Sequence, residues 1–196
     1  MKPTVWTTRR KVLGNLVPTI VWLIPTAYGL AVMAATRVLL GPGLAMLLIS
    51  TVLGWLALNS FGLFENLQMQ RELEQILKNR KDEVAAESWF VGLTTPKYRG
   101  LLDAHEDVGF LQILPEKLSF VSETRKIELL KSEIRRIRYR GNVHSLVFLG
   151  RWVSVEGESG GKPVRMLLEP RERPTMLGNF RESSVLRARL TKWAKG

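Results

Sequence analysis

The chain has no cysteine in its 196 residues. That excludes disulfide bonds, thiol catalysis and any metal site built on thiolates, and it suits a reducing compartment. Histidine is scarce as well: His105 and His144 are the only two, and His105-Glu106-Asp107-Val108-Gly109 lacks the second histidine that a helical zinc-hydrolase motif needs four residues on. No glycine loop ends in the Lys-Ser/Thr pair of a phosphate-binding loop, so Gly157-Glu158-Ser159-Gly160-Gly161 reads as a hairpin tip. Acidic residues are missing from the first 64 positions, which hold Lys2, Arg9, Arg10, Lys11 and Arg37, or +5 of the net charge of +11. Between Val12 and Phe64, Arg37 is the only formal charge of either sign.

That last absence organises the chain. Val12 to Thr36 is 25 uncharged residues and Val38 to Phe64 is 27, each more than the roughly 20 a helix needs to cross a hydrocarbon core. Gly41-Pro42-Gly43 supplies the turn, glycine by its backbone freedom and proline by its missing N–H. The pattern predicts a two-helix transmembrane hairpin. Pro18 and Pro25 interrupt its first helix, and Gly29, Ala34, Ala35, Gly54 and Ala57 allow close helix approach. Lysine and arginine flank both outer ends, four before the first span and Arg71, Lys78, Arg80 and Lys81 after the second. This distribution predicts both termini in the cytoplasm; the expected setting is a bacterial inner membrane, with an organellar membrane as the alternative. Thr8-Arg9-Arg10-Lys11-Val12-Leu13 also resembles a twin-arginine export signal, although the apolar stretch behind it is long for one.

Residues 65–83 follow as a connecting helix. Met69, Leu73, Ile76 and Leu77 fall on one face, a stripe that suits packing on the chain's own soluble domain or a short homodimer contact through residues 65–81. Lys78-Asn79-Arg80-Lys81-Asp82-Glu83 reads as a hinge. The remainder, 84–196, is large enough for one domain. Thr95-Pro96 signals the start of a short helix through Leu101 and Leu102. Seven strands are predicted: Val108–Leu114, Leu118–Val121, Ile127–Leu130, Ile134–Arg140, Ser145–Leu149, Arg151–Glu156 and Pro163–Leu168. A closing helix, capped at Ser183 or Ser184, carries Leu186, Leu190 and Trp193 on one face.

Val108-Gly109-Phe110-Leu111-Gln112-Ile113-Leu114-Pro115-Glu116-Lys117-Leu118-Ser119-Phe120-Val121, then Ile127-Glu128-Leu129 and Ile134-Arg135-Arg136-Ile137, resembles the opening hairpin and third strand of GRAM-type and bacterial PH-like domains. The resemblance spans about residues 107–194. It implies a mainly β, seven-stranded PH-like barrel capped by a C-terminal helix, standing behind the membrane hairpin.

The strongest candidate binding residues are Arg135, Arg136, Arg138 and Arg140, with Arg151 nearby. On a strand, Arg136, Arg138 and Arg140 project together while Ile137 and Tyr139 face the other way. Arg165, Arg171 and Arg173 can add to that field, and Glu128 and Glu133 are the candidate ion-pair partners if the run is instead a solvated face. Asp103, His105, Glu106 and Asp107 form the one cluster mixing histidine with carboxylates, the basis for a minor reading as a membrane-bound hydrolase. Glu169-Pro170-Arg171-Glu172-Arg173-Pro174 reads as a rigid charged connection. The basic residues lack the interleaved aromatics of a nucleic-acid surface, and no metal or cofactor is expected. Together these features predict a non-catalytic adaptor or assembly factor holding a partner protein at the membrane, with anionic-lipid binding as the alternative.

Overall fold

The computed structural model describes residues 3–81, 87–98 and 105–196. Two long helices open it, α1 (Thr8–Thr36) and α2 (Pro42–Phe61), joined by a loop in which Arg37 takes a left-handed conformation and Pro42 occupies the first turn of α2. Both are long and apolar enough to cross a membrane, and only 11% of the most apolar window of each is buried. A helix that apolar with so little cover from its own chain is not the core of a soluble fold.

The two helices pack tightly where the sequence has small residues. Gly54 lies under the Trp22 side chain and Gly29 against the Gly43 backbone; a Cβ at either position would come within 2.8 Å or 2.9 Å of those atoms. Pro18 and Pro25 both sit inside α1. One turn before Pro25, the Trp22 carbonyl accepts from the Thr26 hydroxyl at 2.7 Å and from Ser50 of α2 at 2.8 Å, so the polar backbone near the proline is served from within the hairpin.

The second span does not run straight into the connecting helix. The chain breaks over Gly62–Glu65, where Glu65 adopts φ +57°, and restarts as α3 (Asn66–Asn79). The close approach of Met176 to Gly62 occupies the space a side chain there would need, and the bend lets α3 lie on the sheet. The predicted hinge at Lys78–Glu83 falls partly outside the described residues.

Seven antiparallel strands form one open sheet: β1 (Ser88–Thr94), β2 (Asp107–Ile113), β3 (Lys117–Ser122), β4 (Lys126–Leu130), β5 (Ile134–Arg140), β6 (Trp152–Ser159) and β7 (Lys162–Pro170), followed by α4 (Met176–Lys195). The order across the sheet is β4-β3-β2-β1-β7-β6-β5, so two meanders meet where β1 pairs with β7. Gly160 and Gly161, both at positive φ, turn β6 into β7 at the predicted tip. One hydrophobic layer is closed by Leu186 and Leu190 of α4 against Val91, Leu93, Leu111, Phe120, Val153 and Leu168.

The opposite side of β1–β3 has a second cover. Met69, Leu73 and Leu77 of α3, all fully buried, join Val5 and Trp6 over Phe90, Val108, Phe110 and Val121. At roughly 1.5–3 kcal/mol per fully buried large apolar side chain, α3 is part of the domain's own core. The stripe is thus covered within the chain, and a domain boundary at residue 84 separates in sequence what packs together in space. Residues 3–7 are pinned as a strap by Glu123, which accepts from the backbone N–H groups of Thr4 and Val5 at 2.8–2.9 Å. Arg10, at the start of α1, bonds Glu65 and Glu72 at 2.7 Å, joining the hairpin to α3.

The structure departs from the sequence reading at several points. Ser88–Thr94 is a strand that the sequence pattern does not show. It is flanked by α3 on one side and α4 on the other, so both faces are apolar and alternation is lost. Ser145–Leu149 is not a strand: Val143–Val147 forms a 3₁₀ turn capped by Asn142, whose side chain accepts from the Ser145 N–H at 3.0 Å. The closing helix is capped by Thr175 at its start, eight and nine residues before Ser183 and Ser184. Thr95-Pro96 begins a turn, with Tyr98 N–H donating to the Thr95 carbonyl at 3.0 Å; Leu101 and Leu102 lie outside the described residues.

Candidate functional site

The predicted arginine set divides into three environments. Register places Arg136 opposite Glu156, and Glu156 opposite Arg165, across β5, β6 and β7, so these three side chains share one face. Glu156 collects the rest: Arg138 at 2.9–3.1 Å, Arg140 at 3.0–3.1 Å, Arg165 at 3.3 Å and the Ser154 hydroxyl at 2.9 Å. Burial works against its charge. The hydrogen bonds from Arg140, Ser154 and Arg138 nevertheless hold the Glu156 carboxyl down to about 2. Ion pairing within this run is therefore real, but not with the acids nearest in sequence. Glu128 pairs with Lys117 and Lys126, and Glu133 accepts from the Leu130 N–H.

Arg136 and Arg135 lie at the exposed rim. Arg135 pairs with Glu158, whereas no carboxylate among the described residues stands within ion-pair distance of Arg136. Together with Thr95, Pro96 and Lys97 from the turn after β1, and Pro163, Val164 and Arg165 of β7, they line an open groove of about 800 Å³. Among the described residues, four cations thus surround a groove whose one lining carboxylate, Glu156, is already shared among three arginines. Such a surface attracts an anionic group and offers Pro96, Pro163 and Val164 for apolar contact.

Arg151 is elsewhere. Its guanidinium stacks between the rings of Tyr139 and Phe180, 4.1 Å and 4.3 Å from their centroids, and donates to Ser184 of α4. It fastens α4 to the sheet rather than facing the groove. Arg173 pairs with Glu182 at 2.7 Å. Of the three further arginines, only Arg165 joins the groove.

The histidine–carboxylate cluster also separates, and Asp103 lies outside the described residues. Glu106 bonds Arg125 and the Thr95 hydroxyl, both at 2.8 Å. Burial pushes its carboxyl up, and these partners outweigh that and leave it below the usual range. Asp107 accepts from the Ser122 and Thr124 hydroxyls at 2.7 Å and 2.9 Å. His105 turns inward, where its Nε2 meets Glu169 at 3.0 Å.

His105 belongs to a buried polar junction not apparent in the sequence. Glu169 also accepts from Asn142 at 2.9 Å; Arg171 Nη1 lies 3.5 Å from His105 Nδ1, donates through Nε to Asn66 at 2.8 Å, and stacks 4.7 Å from the Trp6 ring centroid. The Asn66 amide donates back to the Arg171 carbonyl, and Trp6 Nε1 to the His105 carbonyl at 3.2 Å. His105, Glu169, Arg171 and Asn66 are each at least 96% buried. The strap, α3, the sheet and the turn at Asn142 therefore meet through one hydrogen-bonded cluster. The segment Glu169–Pro174 is more than a connection: Glu172 accepts from the Phe90 N–H, and its burial pushes its carboxyl above the usual range.

Among the described residues, no three His, Asp or Glu side chains are grouped to hold a metal ion. The chain matches no protein-family model and no curated protein. The groove and the junction therefore have to be interpreted from their own chemistry.

Proposed function

We propose that this chain is a non-catalytic, membrane-anchored adaptor. The apolar hairpin crosses a bacterial inner membrane with both termini in the cytoplasm, and a PH-like domain stands on that face and holds an acidic segment of a partner protein. The observation that carries this reading is the groove of Lys97, Arg135, Arg136 and Arg165, basic beyond what its own carboxylates neutralise.

A protein segment suits the groove better than a lipid headgroup because Pro96, Pro163 and Val164 line it beside the cations, so an occupant carrying apolar side chains as well as carboxylates is met along its length.

A photo-crosslinking residue in place of Val164, in the full-length protein in its native membrane, tests the reading. A discrete protein adduct that disappears when Lys97→Glu and Arg136→Glu are added is the expected result. Adducts with lipid alone would replace the adaptor reading with anionic-lipid binding.

A further inference from the structure

The turn that replaces the predicted strand at 145–149 places large apolar side chains outward. Val143 is 65% exposed, Leu146 82% and Phe148 74%. Asn142 to Gly150 contains no Lys, Arg, Asp or Glu. The segment is well braced: Asn142 N–H donates to the Ser145 hydroxyl at 2.9 Å, that hydroxyl donates to the Gly150 carbonyl at 2.6 Å, and Leu149 N–H donates to the His144 carbonyl at 3.0 Å. Leu149, 1% exposed, is packed inward with Leu63 and Met176. A braced turn showing its apolar side chains outward is a surface shaped for contact.

What covers it is indicated by its attachment to the hairpin. The Trp55 indole N–H holds the Val147 carbonyl, and Trp55 is six residues before the last residue of α2, about 9 Å of helix inside that end. Leu177 N–H donates to Asn59 of the same helix at 2.9 Å, fixing α4 to it as well. The outward face of the turn is thus level with exposed apolar side chains of α2, among them Val52 at 59% and Leu56 at 48%. Backbone groups of Asn142, His144, Ser145, Val147, Phe148 and Leu149 are bonded within the turn or to Trp55, which lowers the cost of bringing the turn against the edge of an apolar layer. Tryptophan itself favours the membrane interface.

We propose that Val143–Phe148 is a membrane wedge: Val143, Leu146 and Phe148 insert among the lipids of the leaflet that the hairpin crosses. The occupant of this apolar face is lipid, and the proposal rests on the reading of α1 and α2 as membrane spans. The domain then rides on the bilayer at a fixed height instead of swinging from the end of α2.

The absence of native cysteine makes single-site labelling clean. The full-length chain is reconstituted in phosphatidylcholine–phosphatidylglycerol vesicles with a fluorophore at Leu146→Cys, at Leu48→Cys in the middle of α2, or at Lys162→Cys near the β6–β7 tip. Each is challenged with nitroxide-bearing lipid and with aqueous iodide. Leu146 is already exposed, so its replacement removes little packing. The expected result is lipid quenching at position 146 close to that at 48 and several-fold above that at 162. Iodide quenching at 146 equal to that at 162, with 48 still quenched by lipid, overturns the wedge and leaves the spans intact. Iodide quenching at 48 overturns the membrane reading, and the wedge with it.

Discussion

The molecule builds two arginine–carboxylate arrays from the same chemistry and uses them differently. Around Glu156 the arginines are about one-third exposed, while around Glu169 and Arg171 the side chains are almost wholly enclosed. Water can replace a lost partner in the first array but not in the second. The buried array therefore has to be complete within the chain, and it is, through His105, Asn142, Asn66 and Trp6. The exposed array can leave Arg136 without an ion-pair partner among the described residues, which gives the surface something to offer another molecule.

The largest effect that separates the two is expected at Glu169. Glu169→Ala leaves the His105 ring and the Asn142 amide without their buried acceptor and costs about 2–5 kcal/mol, read as a lowered unfolding midpoint of the detergent-solubilised protein. A loss as small as that of a surface change would mean that the junction is hydrated and does not clamp the strap, α3 and sheet.

Acid titration sharpens the contrast from the other side. The Glu156 carboxyl is held at about 2, below its ordinary 4.5. A group with a lowered folded value stabilises the protein above 4.5, and this contribution is lost as pH falls through about 2. Glu156→Gln is expected to cost about 1 kcal/mol or less at pH 7, the array being partly exposed, and to flatten the acid limb between pH 4.5 and 2. An unchanged acid limb would contradict the shared pairing.

Glu172 is the opposite case, and the smallest. Burial raises its carboxyl, so its ionisation opposes folding as pH rises above 4.5. Glu172→Gln keeps an acceptor for the Phe90 N–H and removes the desolvated charge. Stability at pH 7 is expected to stay constant or rise by about 0–1 kcal/mol, with the gain fading towards pH 4. A clear loss at pH 7 would show that the charge itself is needed.

The parts legible in the sequence were those governed by local pattern. The hairpin followed from two uncharged runs, α3 from a single apolar stripe, and most strands from short apolar segments between turn residues. Ser88–Thr94 was hidden because α3 and α4 cover both of its faces, and no alternation survives. Ser145–Leu149 misled because a short apolar run records hydrophobicity and not direction: Leu146 and Phe148 point outward while Leu149 points inward. The groove was half legible. A period of two put Arg136, Arg138 and Arg140 together, but only the topology selects Arg165 from the further arginines and brings in Lys97. The junction could not be read at all, because Asn66 and Arg171 are 105 residues apart and His105 and Glu169 are 64 apart.

The central claim is that the exposed array binds a partner protein while the buried one holds the fold. It is tested most directly by recovering tagged full-length protein from its native membrane in mild detergent, beside full-length Lys97→Glu/Arg136→Glu of matched unfolding midpoint. The account predicts that the wild type brings down a discrete partner whose yield falls at least about tenfold with the double variant. Equal recovery of the same partner by both proteins, or recovery of none by either, would contradict it.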